Sequence, residues 1–238
     1  MTALLETRGL RAFYGDFQAL FGIDLSIAQG ATLALIGANG AGKTTLLRAI
    51  AGLLATAPAQ ILHRGQEIGG LAADKIVARG IALVPEGRRL FASLSVEENL
   101  LMGGYARRRG PWSLALVYRL FPVLAERRHT PATALSGGQQ QMAVIGRALM
   151  ANPELLLCDE ISLGLAPVVI ADLYAAMPAI KAQGTAILLV EQDINRALAV
   201  ADDVACLIAG RVSLRGNPAA LAREQIRAAY FGVPAAGP

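Results

Sequence analysis

Thr32-Leu-Ala-Leu-Ile36-Gly37-Ala-Asn39-Gly40-Ala41-Gly42-Lys43-Thr44-Thr45 runs from an apolar stretch through a glycine-rich loop into an amphipathic segment. The first five residues are apolar on both faces, which predicts a buried parallel strand. Thr44 to Leu54 carries Leu47, Ile50, Ala51 and Leu54 at helical spacing, and predicts a helix weakened slightly by Gly52. The loop between them satisfies G-x-x-x-x-G-K-S/T in the strand–loop–helix setting that gives this pattern its meaning. Gly37, Gly40 and Gly42 let backbone N–H groups of the loop, including those of Asn39 and Ala41, approach anionic oxygens without a Cβ in the way. The helix that follows adds free amides and its positive end. Lys43 supplies a point charge for β- and γ-phosphates, and the Thr44 hydroxyl can ligate Mg²⁺.

Ile81 to Val84, Leu155 to Cys158 and Ala186 to Val190 repeat the fully apolar strand pattern. Val204 to Ile208 and Val212 to Leu214 flank Ala209-Gly210-Arg211 as a hairpin. Leu114 to Arg128 is helical in period with an interruption at Pro122. These runs predict an α/β sheet core over residues 1–85 and 151–217. A helical insertion occupies 86–150, and a short helix and tail occupy 218–238.

The composition excludes several classes. The chain has 238 residues, is 54% hydrophobic and 17% charged. That suits a single domain with a substantial core and not a disordered chain. The longest uncharged run near the start, Leu25 to Gly42, contains Ser26, Gln29, Asn39 and four glycines, so it reads as strand and loop and not as a membrane span. Glu6 and Arg8 interrupt any secretory leader. Cys158 and Cys206 sit in apolar surroundings and read as buried thiols of a reducing compartment. The chain is therefore expected to be soluble and cytoplasmic. Its net charge is +4, and Glu86 to Met150 holds nine arginines against four glutamates. That surplus reads as a solvated helical surface or as a patch facing nucleic acid or phospholipid.

Two further motifs carry chemistry. Leu155-Leu-Leu-Cys-Asp159-Glu160 puts two carboxylates at the carboxyl end of a strand, beside the phosphate loop in a parallel sheet. Asp159 can complete a Mg²⁺ shell and Glu160 can polarise an attacking water. Leu135-Ser136-Gly137-Gly138-Gln139-Gln140 precedes an amphipathic helix, either as an ordinary N-cap or as a second anion-binding arrangement.

In this order, the phosphate loop, the Leu-Ser-Gly-Gly-Gln run and the Asp-Glu strand resemble the ATP-binding cassette (ABC) ATPases over essentially the whole chain. The resemblance implies a P-loop α/β core with a mostly parallel sheet, an antiparallel β subdomain and a helical insertion. It implies that Tyr14 stacks on adenine, where the alternative is a core tyrosine. Gly37, Asn39, Gly40, Ala41, Gly42, Lys43, Thr44 and Thr45 would bind ATP, with Mg²⁺ held by Thr44, Asp159 and Glu86, the last standing where the family usually has glutamine. Ser136, Gly137, Gly138 and Gln139 of one subunit would close over the γ-phosphate on another in a head-to-tail dimer. Ser162 to Pro167 would be the dimer-contact loop.

Three departures stand out. Gln192 replaces the switch histidine, Ala166 replaces an aspartate of the contact loop, and Glu86 replaces glutamine. Gln192 can still donate a hydrogen bond to the γ-phosphate but cannot carry a proton. Ile161 follows the Asp-Glu pair, where the family has Pro or Ala, and has no assigned consequence. Pro85-Glu-Gly-Arg88, Val96-Glu-Glu-Asn-Leu100, Ser162 to Pro167, Val190-Glu-Gln192 and Ala229-Tyr-Phe-Gly232 resemble the shorter ATPase of bacterial branched-chain amino acid importers. Urea and amide importers share much of this pattern. That group implies transmembrane permease subunits, a second ATP-binding subunit, an extracytoplasmic solute-binding protein and a peripheral place on the inner face of the membrane. Glu160, Gln192 and Lys43 would be catalytic. A nonhydrolytic nucleotide switch is the alternative that the missing histidine motivates. A DNA-associated ATPase lacks supporting heptads or a helix-turn-helix, so no nucleic acid is expected.

Overall fold

The computed structural model of the protein describes residues 3–231. The chain opens with two long strands, β1 (Leu5–Tyr14) and β2 (Phe17–Ile27), then β3 (Thr32–Ile36) and α1 (Lys43–Ile50). Two short strands, β4 (Ile61–His63) and β5 (Gln66–Glu67), precede α2 (Ala73–Ala78) and β6 (Ile81–Val84). Four helices follow: α3 (Val96–Gly103), α4 (Leu114–Leu120), α5 (Pro122–Glu126) and α6 (Gly137–Leu149). The chain returns to β7 (Leu155–Asp159), α7 (Pro167–Ala175), α8 (Met177–Ala182), β8 (Ala186–Glu191) and α9 (Ile194–Val200). It ends with β9 (Asp203–Ile208), β10 (Arg211–Gly216) and α10 (Arg223–Phe231). Gly232 and the expected tail beyond it lie outside the described residues.

The strands form two sheets. A six-stranded sheet has the order β10-β9-β3-β8-β7-β6, in which only β10 runs antiparallel to its neighbour. Every residue of β3, β7 and β8 is buried, as expected for strands covered on both faces. The second sheet, β2-β1-β4-β5, is antiparallel and four-stranded. One hydrophobic cluster joins this sheet to α1 and one face of the parallel strands. A separate cluster gathers α3 to α6 against β6, β7, β8, α7 and α8.

Two helix predictions need correcting. The helix after the phosphate loop stops at Ile50 and not at Leu54. Gly52 has φ +70°, and a Cβ there would lie 2.5 Å from the Leu71 carbonyl oxygen, so it terminates the helix where the periodicity suggested a mere weakening. Leu114 to Arg128 is two helices, because Phe121 leaves helical geometry (φ −131°, ψ 80°) ahead of Pro122.

Glu154, just before β7, ties three regions together. It accepts from Arg64 Nε at 2.6 Å and from Arg108 at 3.1 Å, and lies 3.4 Å from the buried His63 ring. Arg108 comes from the segment after α3 and also donates to the Ala78 and Asn152 carbonyls, so it staples the helical region to the core. Burial holds the His63 imidazole below its ordinary pKa; Glu154 works against that shift and the neighbouring arginines reinforce it. A His neutralised by folding costs stability once the unfolded chain begins to take up a proton, that is, as pH falls below about 6.5. The difference in unfolding free energy between wild type and His63→Gln is therefore expected to shrink between about pH 7.5 and 5, by at most about 1.4 kcal/mol per pH unit. Denaturant titrations of both proteins across that range check it, and a pH-independent difference would contradict it.

Candidate nucleotide site

The loop after β3 is shaped by close backbone approach. A Cβ on Gly37 would fall 2.4 Å from the Leu207 carbonyl oxygen on β9. Gly42, the N-cap of α1, has φ +103° and would press a Cβ to 2.9 Å from Leu20 Cδ2. The turn at Gly210 clamps the loop from outside: Gly210 N–H donates to Ala41 O and Phe21 N–H donates to Gly210 O, each at 2.9 Å. Gly37 and Ala41 are thereby buried behind the loop, and Asn39 and Gly40 stay exposed.

The carboxyl ends of β3, β7 and β8 open into a cleft of about 710 Å³. Its walls include Tyr14, Asn39, Gly40, Gly42, Lys43, Thr44, Thr45, Glu86, Glu160 and Gln192. Lys43, 4% exposed, donates through Nζ to the carbonyls of Gly37 (2.8 Å) and Ala38 (3.1 Å) and lies 3.6 Å from a Glu160 oxygen. Gln192 Nε2 donates to the other Glu160 oxygen at 2.5 Å. Glu160 has φ +46°, a left-handed conformation that a non-glycine residue keeps only where its surroundings impose it. Tyr14 is 42% exposed, so it is not a core tyrosine; its hydroxyl sits 3.5 Å from Thr45 Oγ1. Phe17, Phe21 and Leu163 also line the cleft. Phe17 and Phe21 lie outside every quoted motif, and Leu163 stands in the Ser162 to Pro167 segment, which was expected to face a second subunit.

Thr44 and Asp159, two of the residues expected at a cation, are brought together: the Thr44 hydroxyl donates to Asp159 Oδ1 at 3.2 Å. Burial pushes the Asp159 carboxyl up to about 6; Glu160 and Glu86 push in the same direction, and the Thr44 hydroxyl and Lys43 oppose. Crowded carboxylates of this kind call for a positive charge. No cluster of three or more His, Cys, Asp or Glu among the described residues forms a metal cage. One carboxylate with a hydroxyl matches Mg²⁺, which takes its remaining ligands from phosphates and water.

Ser136, Gly137, Gly138 and Gln139 are not part of this cleft. Ser136 caps α6: its hydroxyl accepts from Gln139 N–H (3.3 Å), and its own N–H donates to Gln139 Oε1 (3.0 Å). The capping oxygen leaves its O–H proton free to donate elsewhere, so cap and anion contact are compatible. The Arg88 guanidinium, which the motif reading left without a role, lies across Gly137, 2.8 Å from where a Cβ would be.

A profile described as "ABC transporter" matches residues 20–162. The chain belongs to the ABC transporter family. It is 44% identical over 232 residues to the high-affinity branched-chain amino acid transport ATP-binding protein BraG of Pseudomonas aeruginosa, covering 96% of this chain and 100% of that protein. A probable branched-chain amino acid transport ATP-binding protein, LivF, of Archaeoglobus fulgidus is 33% identical, with coverage of 90% and 92%. A nucleotide-free ATP-binding cassette superposes with a TM-score of 0.81 at 26% identity, covering 98% of this chain and 96% of that one. The ADP conformation of the cassette MJ1267 gives 0.78 at 26%, with coverage of 96% and 94%. This chain is accordingly an ATP-binding and ATP-hydrolysing subunit of an ABC transporter, with ATP and Mg²⁺ as its ligands. No helix among the described residues is long and apolar enough to cross a membrane.

A carboxyl protonated more readily when folded lowers stability as pH rises toward about 6, and the penalty is complete above it. At pH 7 Asp159→Asn should therefore raise the melting temperature of the nucleotide-free protein while weakening its Mg²⁺-dependent ATP binding. Calorimetry and Mg²⁺ titration check the two halves; a variant that binds Mg²⁺-ATP as wild type would remove Asp159 from the metal.

Proposed function

We propose that this chain powers an ABC importer for branched-chain amino acids, with its site residues working as follows. The observation that carries the reading is the convergence of Lys43, Thr44, Asp159, Glu160 and Gln192 at one cleft in a chain so similar to BraG. The Gly37–Thr45 amides and the start of α1 grip the phosphates, and Tyr14 offers its ring to the base. Lys43 trades its contacts with the Gly37 and Ala38 carbonyls for phosphate oxygens and carries their developing charge. Thr44, Asp159 and Glu86 would hold Mg²⁺, which would supply positive charge to offset that of the phosphates. Glu160 orients and polarises the attacking water, held in place by Gln192, whose amide also donates to the γ-phosphate.

Ser136 to Gln139 serve the phosphates of a second ATP-binding subunit, either a copy of this chain or a related ATPase. Their place outside the chain's own cleft supports that division of labour. The 1–85 and 151–217 segments act as the nucleotide-binding core, 86–150 as the helical subdomain that brings the Ser136 cap, and 218–238 as a C-terminal appendage. Closure of the pair on two ATP moves the permease, and hydrolysis resets it. A solute-binding protein outside the membrane would deliver the amino acid.

The permease contact is assigned to a second groove, of about 560 Å³, between α2 and the helical segment. Phe91, Met102 and Tyr105 stand 48%, 47% and 86% exposed there, an apolar patch rimmed by Arg89 and Arg147 that suits an amphipathic helix from a partner.

Two outcomes are expected. Glu160→Gln should lower turnover by roughly 10² to 10⁴-fold, the range for losing a general base, with ATP binding intact. Phosphate-release assays beside equilibrium nucleotide binding test it, and unchanged turnover would remove Glu160 from the role. Tyr105→Asp should leave the chain folded by circular dichroism but reduce its copurification with the permeases from native membranes. Recovery equal to wild type would move the docking site elsewhere. Uptake of labelled leucine, isoleucine and valine by the copurified complex, set against urea, decides the cargo.

A further inference from the structure

Glu191, the last residue of β8, is 2% exposed. None of the ion pairs among the described residues includes it. Leaving a carboxylate in such a place costs several kcal/mol unless hydrogen bonds compensate, and an apolar side chain would fill the space without that cost. Here the compensation is specific. Ser162 Oγ–H donates to Glu191 Oε2 at 3.0 Å, and Tyr174 O–H donates to Oε1.

The partners show what the carboxylate joins. Ser162 opens the 162–166 loop that leads from Asp159-Glu160 into α7, and Tyr174 lies on α7. On the other side, the end of β8 holds Glu160 twice: Glu160 N–H donates to Val190 O at 3.1 Å, and the Gln192 side chain donates to its carboxylate. One strand end thus grips the loop through residue 191 and the site through residues 190 and 192. The left-handed φ of Glu160 needs such bracing. Beside this junction the loop and the start of α7 present Leu163 and Val168, 52% and 68% exposed.

We propose that Glu191 is a positioning residue for hydrolysis, its carboxylate tying the 162–166 loop and α7 to the strand end that aims Gln192 at Glu160. This rests on the roles given above to Glu160 and Gln192. Its substrate, like theirs, is ATP, but Glu191 acts only through its neighbours.

The test uses the full-length chain with its copurified partners, reading turnover and ATP affinity separately. Ser162→Ala and Tyr174→Phe are each expected to lower kcat by about 10- to 150-fold, the range for one hydrogen bond to a charged group, with ATP affinity near wild type and the chain still folded at the assay temperature, although its melting temperature falls. Glu191→Leu should lose more, and Glu191→Gln, which can still bond both hydroxyls, should restore much of the difference. In a Gln192→Ala background the Ser162→Ala effect should largely vanish, because the two changes break one chain of contacts. The proposal is overturned if Ser162→Ala and Tyr174→Phe keep wild-type kcat, or if kcat falls only in proportion to ATP affinity or folded fraction. Full additivity with Gln192→Ala would overturn it too. Should Gln192→Ala itself leave kcat unchanged, the reading of Gln192 falls and this inference with it; loss in Gln192→Ala alone refutes the inference and spares the reading.

Discussion

Between Ile36 and Lys43 the chain turns from a buried strand into a helix while leaving its amides free, and the rest of the molecule is arranged to hold that turn. The parallel sheet supplies the strand end, with β8 and β9 on either side of β3. The Gly210 turn locks the loop to β2 of the other sheet, so both sheets meet at the glycine-rich loop. Lys43, buried among carbonyls and beside Glu160, is kept where an anion would find it. The cost is local: a carboxyl at Asp159 driven upward by burial and by its acidic neighbours, and a non-glycine residue in left-handed geometry at Glu160.

The glycine-rich loop and the Ser136 cap, the two arrangements proposed to hold phosphate, are not brought together within one chain. The cleft at the end of β3 gathers Lys43, Thr44, Glu86, Glu160 and Gln192. The capped start of α6, with Arg88 across Gly137, belongs to the separately packed helical region. A chain built this way makes sense as half of a composite site. The exposed apolar side chains at Leu163, Val168, Phe91 and Tyr105 fit a subunit that has partners on more than one face.

The parallel strands were legible to within a residue, because a strand buried on both faces writes itself as a continuous apolar run bounded by glycine or charge. Helix ends were not. Gly52 reads as a weak point but has to be a stop, since the Leu71 carbonyl occupies the space of a Cβ. The residues that matter for β1 and β2 alternate in burial and leave Phe13, Tyr14 and Phe17 in solvent, which hides the strands behind a noisy pattern. Asp159 beside Thr44 follows from parallel-sheet logic. The Ser162–Tyr174–Glu191 junction does not, because its members are 17 and 29 residues from Glu191 in the chain and only the fold brings their hydroxyls to the end of β8.

The most direct measurement is a structure of the Glu160→Gln protein, assembled with its partners and Mg²⁺-ATP. The γ-phosphate is expected between Lys43 of one subunit and the serine of the facing ATPase that corresponds to Ser136, with Ser136 of this chain making the reciprocal contact. A triphosphate capped by groups of its own chain, with Ser136 turned toward solvent, would contradict it.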